Sequence, residues 1–171
     1  MKKLLLITSC FLLFAFAANA QRYAVIDTKY ILDKLPEYKN ADKQIQQISS
    51  QWQKEIDDKQ AELDKMYKNY DAEQYMLSDE LKKKREAELF NKEKEIRDLQ
   101  KKRFGYEGDL FKERQKLVKP IQDKVYNAIQ KISVAKAYDF VLDKSEGITV
   151  IFADPKLDKS DDVLRELGIK L

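Results

Sequence analysis

Any chemistry in this 171-residue chain would have to come from carboxylates and amines. It carries 30 Asp and Glu and 33 Lys and Arg, but no His and one Cys, Cys10. The usual general base and the commonest metal ligand are therefore missing. No Gly-rich phosphate loop, metal-ligand spacing or nucleophile–base arrangement is visible. Thirty carboxylates on charged segments single out no catalytic pair, so neither enzyme activity nor a cofactor or metal is expected. What does cluster is soft and amphipathic: Met66, Tyr67, Tyr70, Tyr75, Met76 and Leu77. Such groups suit weak, adaptable contacts, because Met and Tyr offer apolar faces at little geometric cost. The one dense basic run, Lys82-Lys83-Lys84-Arg85, follows directly.

Composition narrows the class of chain that carries these residues. With 43% hydrophobic residues it is no disordered polyelectrolyte, and with 4 Gly and 3 Pro it is neither collagen-like nor a turn-rich β-sandwich. Lys2 and Lys3 precede an apolar run, Leu4 to Ala18, that closes on Ala18-Asn19-Ala20. That pattern reads as a secretory signal peptide over residues 1–20, cleaved before Gln21. Cys10 lies in the middle of the run, where a lipid-attachment cysteine would stand at its end. Cleavage removes it, along with Lys2 and Lys3, and takes the formal charge from +3 to +1. A nearly neutral mature chain argues against nucleic acid as the main partner. An exported chain without cysteine or lipid fits a bacterial periplasm.

Long helices must position the soft cluster. No Gly or Pro interrupts the stretch between Pro36 and Gly105. Apolar residues recur at Ala41, Ile45, Ile48, Trp52, Ile56, Leu63, Met66, Tyr70 and Leu77, mostly in steps of three, four or seven, which is a narrow coiled-coil seam. A second run is expected at Leu81, Leu89/Phe90, Ile96, Leu99, Phe104, Leu110/Phe111, Leu117/Val118, Ile121, Val125, Ala128/Ile129, Ile132 and Ala135, within which Phe90, Phe104, Phe111, Val118, Val125 and Ile132 share one seven-residue phase. Ser78 is a plausible N-cap, with Asp79 and Glu80 in the first turn, so two antiparallel helices should meet near Tyr75–Ser78. In Lys82–Arg103, 15 of 22 residues are charged, too many for a helix packed inside a globule. Acid-first pairs spaced i,i+4 (Asp79–Lys83, Glu80–Lys84, Glu88–Lys92, Glu93–Arg97, Asp98–Lys102) should support it at about 0.2–0.5 kcal/mol each. Gly105 and Gly108, read as interior to the second helix, would cost roughly 1 kcal/mol each relative to Ala. They are candidate hinge residues, and Ala at both should stabilise the arm. Pro120 should kink the helix beyond them.

Strand signals sit at the ends of the mature chain: Arg22–Asp27, Tyr138–Asp143 and Ile148–Ala153, the last two joined as a hairpin through Lys144–Gly147. A short helix over Ser160–Leu167 should end at Gly168. The fold class is α+β, mostly α: a long antiparallel coiled-coil hairpin arm (residues 41–114) projecting from a small β-rich base (residues 21–40 and 115–171). A sheet this small with two apolar faces points to self-association.

The opening strand with Val25-Ile26-Asp27, the charged hairpin and the block Lys116–Leu167 resemble the Skp/OmpH family of periplasmic chaperones. PIQDKV (Pro120–Val125), YDFVLDKS (Tyr138–Ser145) and ADPKLDKSDDVL (Ala153–Leu164) carry most of the resemblance. It implies a homotrimer built on strands of three protomers, with Val25, Ile26, Phe140, Leu142, Val150 and Phe152 in the shared base. It also implies an ATP-independent holdase that keeps unfolded outer-membrane proteins in a cavity between the arms. On that reading Tyr67, Tyr75 and Met76, off the seam, are the better client contacts, while Met66, Tyr70 and Leu77 hold the arm together as well. Lys82, Lys83, Lys84 and Arg85 are candidate contacts with anionic lipid or lipopolysaccharide. Family members are strongly basic and this mature chain is not, which weakens the expectation of a wholly positive cavity. The alternative is a structural coiled-coil adaptor of the envelope that docks on one defined partner.

Overall fold

The computed structural model describes residues 21–145, 147 and 150–170. The leader reading lies outside the described residues. The elements in chain order are β1 (Tyr23–Ile26), α1 (Thr28–Lys34), α2 (Pro36–Glu73), α3 (Asp79–Phe104), α4 (Asp109–Lys136), β2 (Phe140–Asp143), a 3-10 turn (Pro155–Leu157) and α5 (Ser160–Glu166). The chain is mostly helical with one two-stranded sheet, and it divides into two compact units: residues 35–123, and 21–34 together with 124–170.

Within residues 35–123, α2 starts where Pro36 occupies the first helical position, which needs no backbone donor. At 1.5 Å per residue its 38 residues extend about 57 Å. It ends at Glu73, and the turn Gln74–Leu77 is held by Gln74 N–H to Tyr70 O (2.8 Å) and Met76 N–H to Glu73 O (2.9 Å). The Ser78 hydroxyl then accepts from Leu81 N–H at 3.4 Å, with Asp79 and Glu80 beside the positive helix end, so α3 starts at its expected cap. α2 and α3 pack as a hairpin around Ile56, Leu63, Leu89 and Ile96, flanked by Met66, Tyr70, Leu99 and Phe104.

Two details of this hairpin depart from the sequence pattern. The returning helix is broken, not continuous: α3 stops at Phe104, and Gly105–Gly108 separate it from α4. Consistent with that, the seam in α3 lies one residue earlier than the aromatic phase suggests. Leu89 and Ile96 are buried while Phe90 and Phe111 are exposed; Ile121, Val125 and Ala128 are the buried positions of α4. The four-residue break absorbs this one-residue change of phase. Of the five expected i,i+4 pairs only Glu93–Arg97 forms among the described residues (3.5 Å). Lys92 reaches across to Glu62 (2.6 Å) and Glu88 pairs with Arg85 (3.0 Å) instead.

In the other unit, β1 and β2 pair in parallel, Tyr23 opposite Phe140 and Ile26 opposite Asp143. Ala24, Val25 and Ile26 are all buried. Helices α1 and α5 pack together through Ile31, Val163 and Leu164, which have no appreciable exposure. Gly168 closes α5 at φ +82°, a conformation costly for other residues. The expected third strand is corrected: Val150–Ala153 form no strand, and Ile148 and Thr149 lie outside the described residues. The second edge of β1 is taken instead by Asp158, in a single parallel bridge, with Lys159 N–H donating to Val25 O at 2.8 Å. Among the described residues the outer edge of β2, where the expected β-hairpin would pair, carries no strand; the chain runs on instead to the far edge of β1.

Candidate functional site

The soft cluster falls at the far end of the α2–α3 hairpin and divides by environment. Tyr75 and Met76 stand in the turn at 88% and 80% exposure, and Leu77 beside them is half-buried. Met66 and Tyr70 pack against the hairpin core as the seam requires. Tyr67, although off the seam, is not free: its hydroxyl donates to Glu93 of α3, and Tyr70 does the same to Glu86 at 2.6 Å. These bonds hold both phenols above their usual pKa, because the carboxylate acceptor would repel a phenolate and partial burial adds to the effect. Tyr67 is thus a cross-strut whose side chain stays partly open to solvent. Leu81 and Phe90, both assigned to the second run by periodicity, are instead exposed and add apolar surface on α3.

Charge reinforces the hairpin more than it decorates it. Lys59 meets Glu95 at 2.7 Å and Lys92 meets Glu62 at 2.6 Å. Hydrogen bonding to lysine holds Glu62 and Glu95 below the ordinary carboxylate range. Both pairs are solvent-accessible, so each contributes modestly. Between the helices near the turn lies a cleft of about 100 Å³ bounded by Met66, Tyr70, Leu89, Glu73, Arg85 and Glu88, too small for a cofactor. Among the described residues no group of acidic side chains is arranged to hold a metal ion. Of the basic run, Arg85 is engaged with Glu88, while Lys83 and Lys84 are exposed on the first turns of α3.

The glycines sit at a joint, not in a helix interior. A Cβ on Gly105 would penetrate the Lys101 carbonyl, and one on Gly108 would lie 2.8 Å from the Lys102 carbonyl and 2.9 Å from that of Gly105. Alanine there should therefore destabilise, reversing the expectation drawn from helix propensity.

The residues assigned to self-association separate into two sets. Val25 and Ile26 are buried within their own protomer, each 4% exposed. Phe140, Leu142 and Phe152 are exposed, and Val150 is half-buried. Ile151, Tyr126 and Val134 of the same unit are also exposed, a surface the strand pattern did not single out.

The stretches that carry the resemblance have a structural use. Asp143-Lys144-Ser145 and Asp158-Lys159-Ser160 repeat one turn: each Asp Oδ1 accepts from the N–H of its own Ser at 2.9 Å. The two turns grip the end of β1 together. Ser160 Oγ accepts from Asp27 N–H at 2.9 Å, and Asp143 accepts from Thr28 N–H at 3.2 Å and from its hydroxyl. Lys144 closes the set on Asp158 at 2.7 Å. Burial alone would raise both carboxyl pKa values. The bonds from Thr28 and Ser145 on Asp143, and from Lys144 and Ser160 on Asp158, outweigh it and leave both below the ordinary value.

No curated protein matches the chain. A solved structure of an OmpH-like outer membrane chaperone from Caulobacter crescentus CB15 superimposes with a TM-score of 0.69 at 18% identity, covering 90% of this chain and 89% of that one. The likeness is one of fold. The family described as outer membrane protein (OmpH-like) matches residues 22–167, from the strand that is gripped to the helix that follows the second turn. With nearly all of its described length within that match, the chain belongs to the OmpH-like family.

Proposed function

We propose that this protein is an ATP-independent holdase chaperone of the bacterial periplasm, exported by a signal peptide cleaved before Gln21. Its clients are unfolded outer-membrane proteins, held between helical arms so that they do not aggregate. Membership of the OmpH-like family supports the chaperone role, as does the chaperone that shares its fold. The observation that carries the reading is the hairpin end, where Tyr75 and Met76 are presented to solvent on an ordered turn with no packing duty. Contacts of that kind bind many sequences weakly, which a holdase requires for release.

The working unit is proposed to be a homotrimer whose base uses the exposed Phe140, Leu142 and Phe152. Tyr75, Met76 and the exposed part of Tyr67 contact the client; Met66, Tyr70 and Leu77 act mainly by keeping the arm zipped. Lys82, Lys83 and Lys84 provide a secondary contact with anionic lipid or lipopolysaccharide, and Gly105 with Gly108 form the point about which an arm yields. No cofactor takes part.

The test is an aggregation assay with several unrelated denatured membrane β-barrel proteins, without ATP. Suppression of all of them near one trimer per client supports the holdase. Failure with each, together with tight binding to one folded envelope protein, would establish the adaptor in its place.

A further inference from the structure

Arg103 stands where the seam calls for an apolar residue. It follows Leu89 and Ile96 at intervals of seven, and its side chain is only 23% exposed. Its Nη1 meets Asp109 Oδ2 at 2.9 Å and its Nη2 meets Glu55 Oε2 at 3.3 Å. The guanidinium lies over Trp52, 4.6 Å from the ring centre, and Trp52 makes an edge contact with Phe104 at 6.5 Å between centroids. One side chain on the last turn of α3 thus touches two residues of α2 and the first residue of α4.

We propose that Arg103 is a latch that holds the Gly105–Gly108 joint shut against α2 and fixes the register of the hairpin across its change of phase. This stands apart from the chaperone reading and would hold for any function of the arm. Three observations argue for it. Arg103 puts a charged group into a coiled-coil seam at 23% exposure, a place where polar residues can fix a unique alignment at a cost in stability. Its Nε is buried with no hydrogen-bond partner among the described residues, a cost that a methionine or leucine would not carry. Finally, the joint needs an external tie. Among the described residues its backbone meets the flanking helices through Gly105 N–H to Lys101 O (2.8 Å) and Lys112 N–H to Gly108 O (3.2 Å), with Gly108 N–H to Gly105 O (2.9 Å) closing the joint on itself. Glu107 between the glycines holds φ +54°, a conformation that a continuous helix would not contain. Arg103 and Asp109 bridge this segment from its two ends, and Glu55 with Trp52 anchors the bridge to the unbroken α2. A lysine could meet one carboxylate but lacks the planar fork that meets both while stacking on indole.

The experiment is hydrogen exchange on the mature chain, comparing wild type with R103M, E55Q and D109N. In R103M the amides of Gly105, Gly108 and Lys112 should exchange at least about tenfold faster, while those near Leu63 and Leu89 keep their wild-type protection. Each partner variant should give the same pattern at smaller amplitude, and these two decide the matter if R103M does not fold. Unchanged exchange at the joint would overturn the latch. A uniform rise along both helices would overturn it equally, since Arg103 would then be ordinary support for the arm.

Discussion

Two aspartates, Asp143 and Asp158, anchor the turns that hold the end of β1, and each does so more strongly as an anion. Their carboxyl pKa values are depressed in the folded protein, so the unfolded chain takes up these protons first as pH falls. The stabilisation is complete above the unfolded value of about 4 and disappears as pH falls through the lower folded values. Acid titration of the mature chain, followed by urea unfolding, should show a loss of stability confined to that window, with little change between pH 6 and 8. Replacing Asp143 by Asn removes part of that dependence. It should cost about 1–3 kcal/mol, because a neutral amide replaces the anion to which the Thr28 hydroxyl and the N–H groups of Thr28 and Ser145 donate. An Asp143→Asn variant with wild-type stability and the full acid response would show that the grip is incidental. These residues stood in plain view as two Asp-Lys-Ser triplets, yet their purpose was hidden, because their partners Asp27 and Thr28 lie more than 110 residues away.

At the scale of elements, legibility followed locality. The cap at Ser78, the turn at Gln74–Leu77 and the end of α5 at Gly168 depend on neighbours a few residues apart, and each lies where composition places it. The strand over Val150–Ala153 and the aromatic seam through Phe90 failed for the opposite reason. Strand pairing is decided by which distant edge the chain reaches, here β1 at Asp158, and the seam by a phase change that a single repeat does not reveal. The glycine joint offers the clearest consequence. Gly105→Ala and Gly108→Ala should each lower stability by about 1–3 kcal/mol through overlap with backbone carbonyls, whereas helix propensity alone predicts a gain. Thermal unfolding of the two variants decides between them by sign. The hairpin end makes the converse prediction. Changing Tyr75 and Met76 together to Ser touches no packed residue, so stability should move by less than about 0.5 kcal/mol while suppression of client aggregation weakens severalfold. Equal suppression by this variant would move the client-binding surface elsewhere.

For the whole molecule, the proposed trimer turns on apolar groups that a protomer leaves uncovered. Phe140→Asp combined with Phe152→Asp should shift the mass seen by light scattering from three chains to one, with helix content retained, since neither side chain is buried in the protomer. A wild-type mass for that variant would place the assembly surface elsewhere. The same unit has another property, which concerns time. Arg22 N–H bonds to Asp139, Asp27 N–H to Ser160 and Thr28 N–H to Asp143, spans of 117, 133 and 115 residues. The hairpin bonds from Tyr70 to Glu86, Tyr67 to Glu93 and Lys59 to Glu95 span 16, 26 and 36. A chain delivered from its N-terminus can therefore zip its hairpin long before β1 has anything to pair with. The first strand made is among the last to be seated. A polypeptide cut short before Asp139 would carry every residue of those hairpin bonds and none of these partners of β1, leaving the buried-type residues Ala24, Val25 and Ile26 without a strand to pair with.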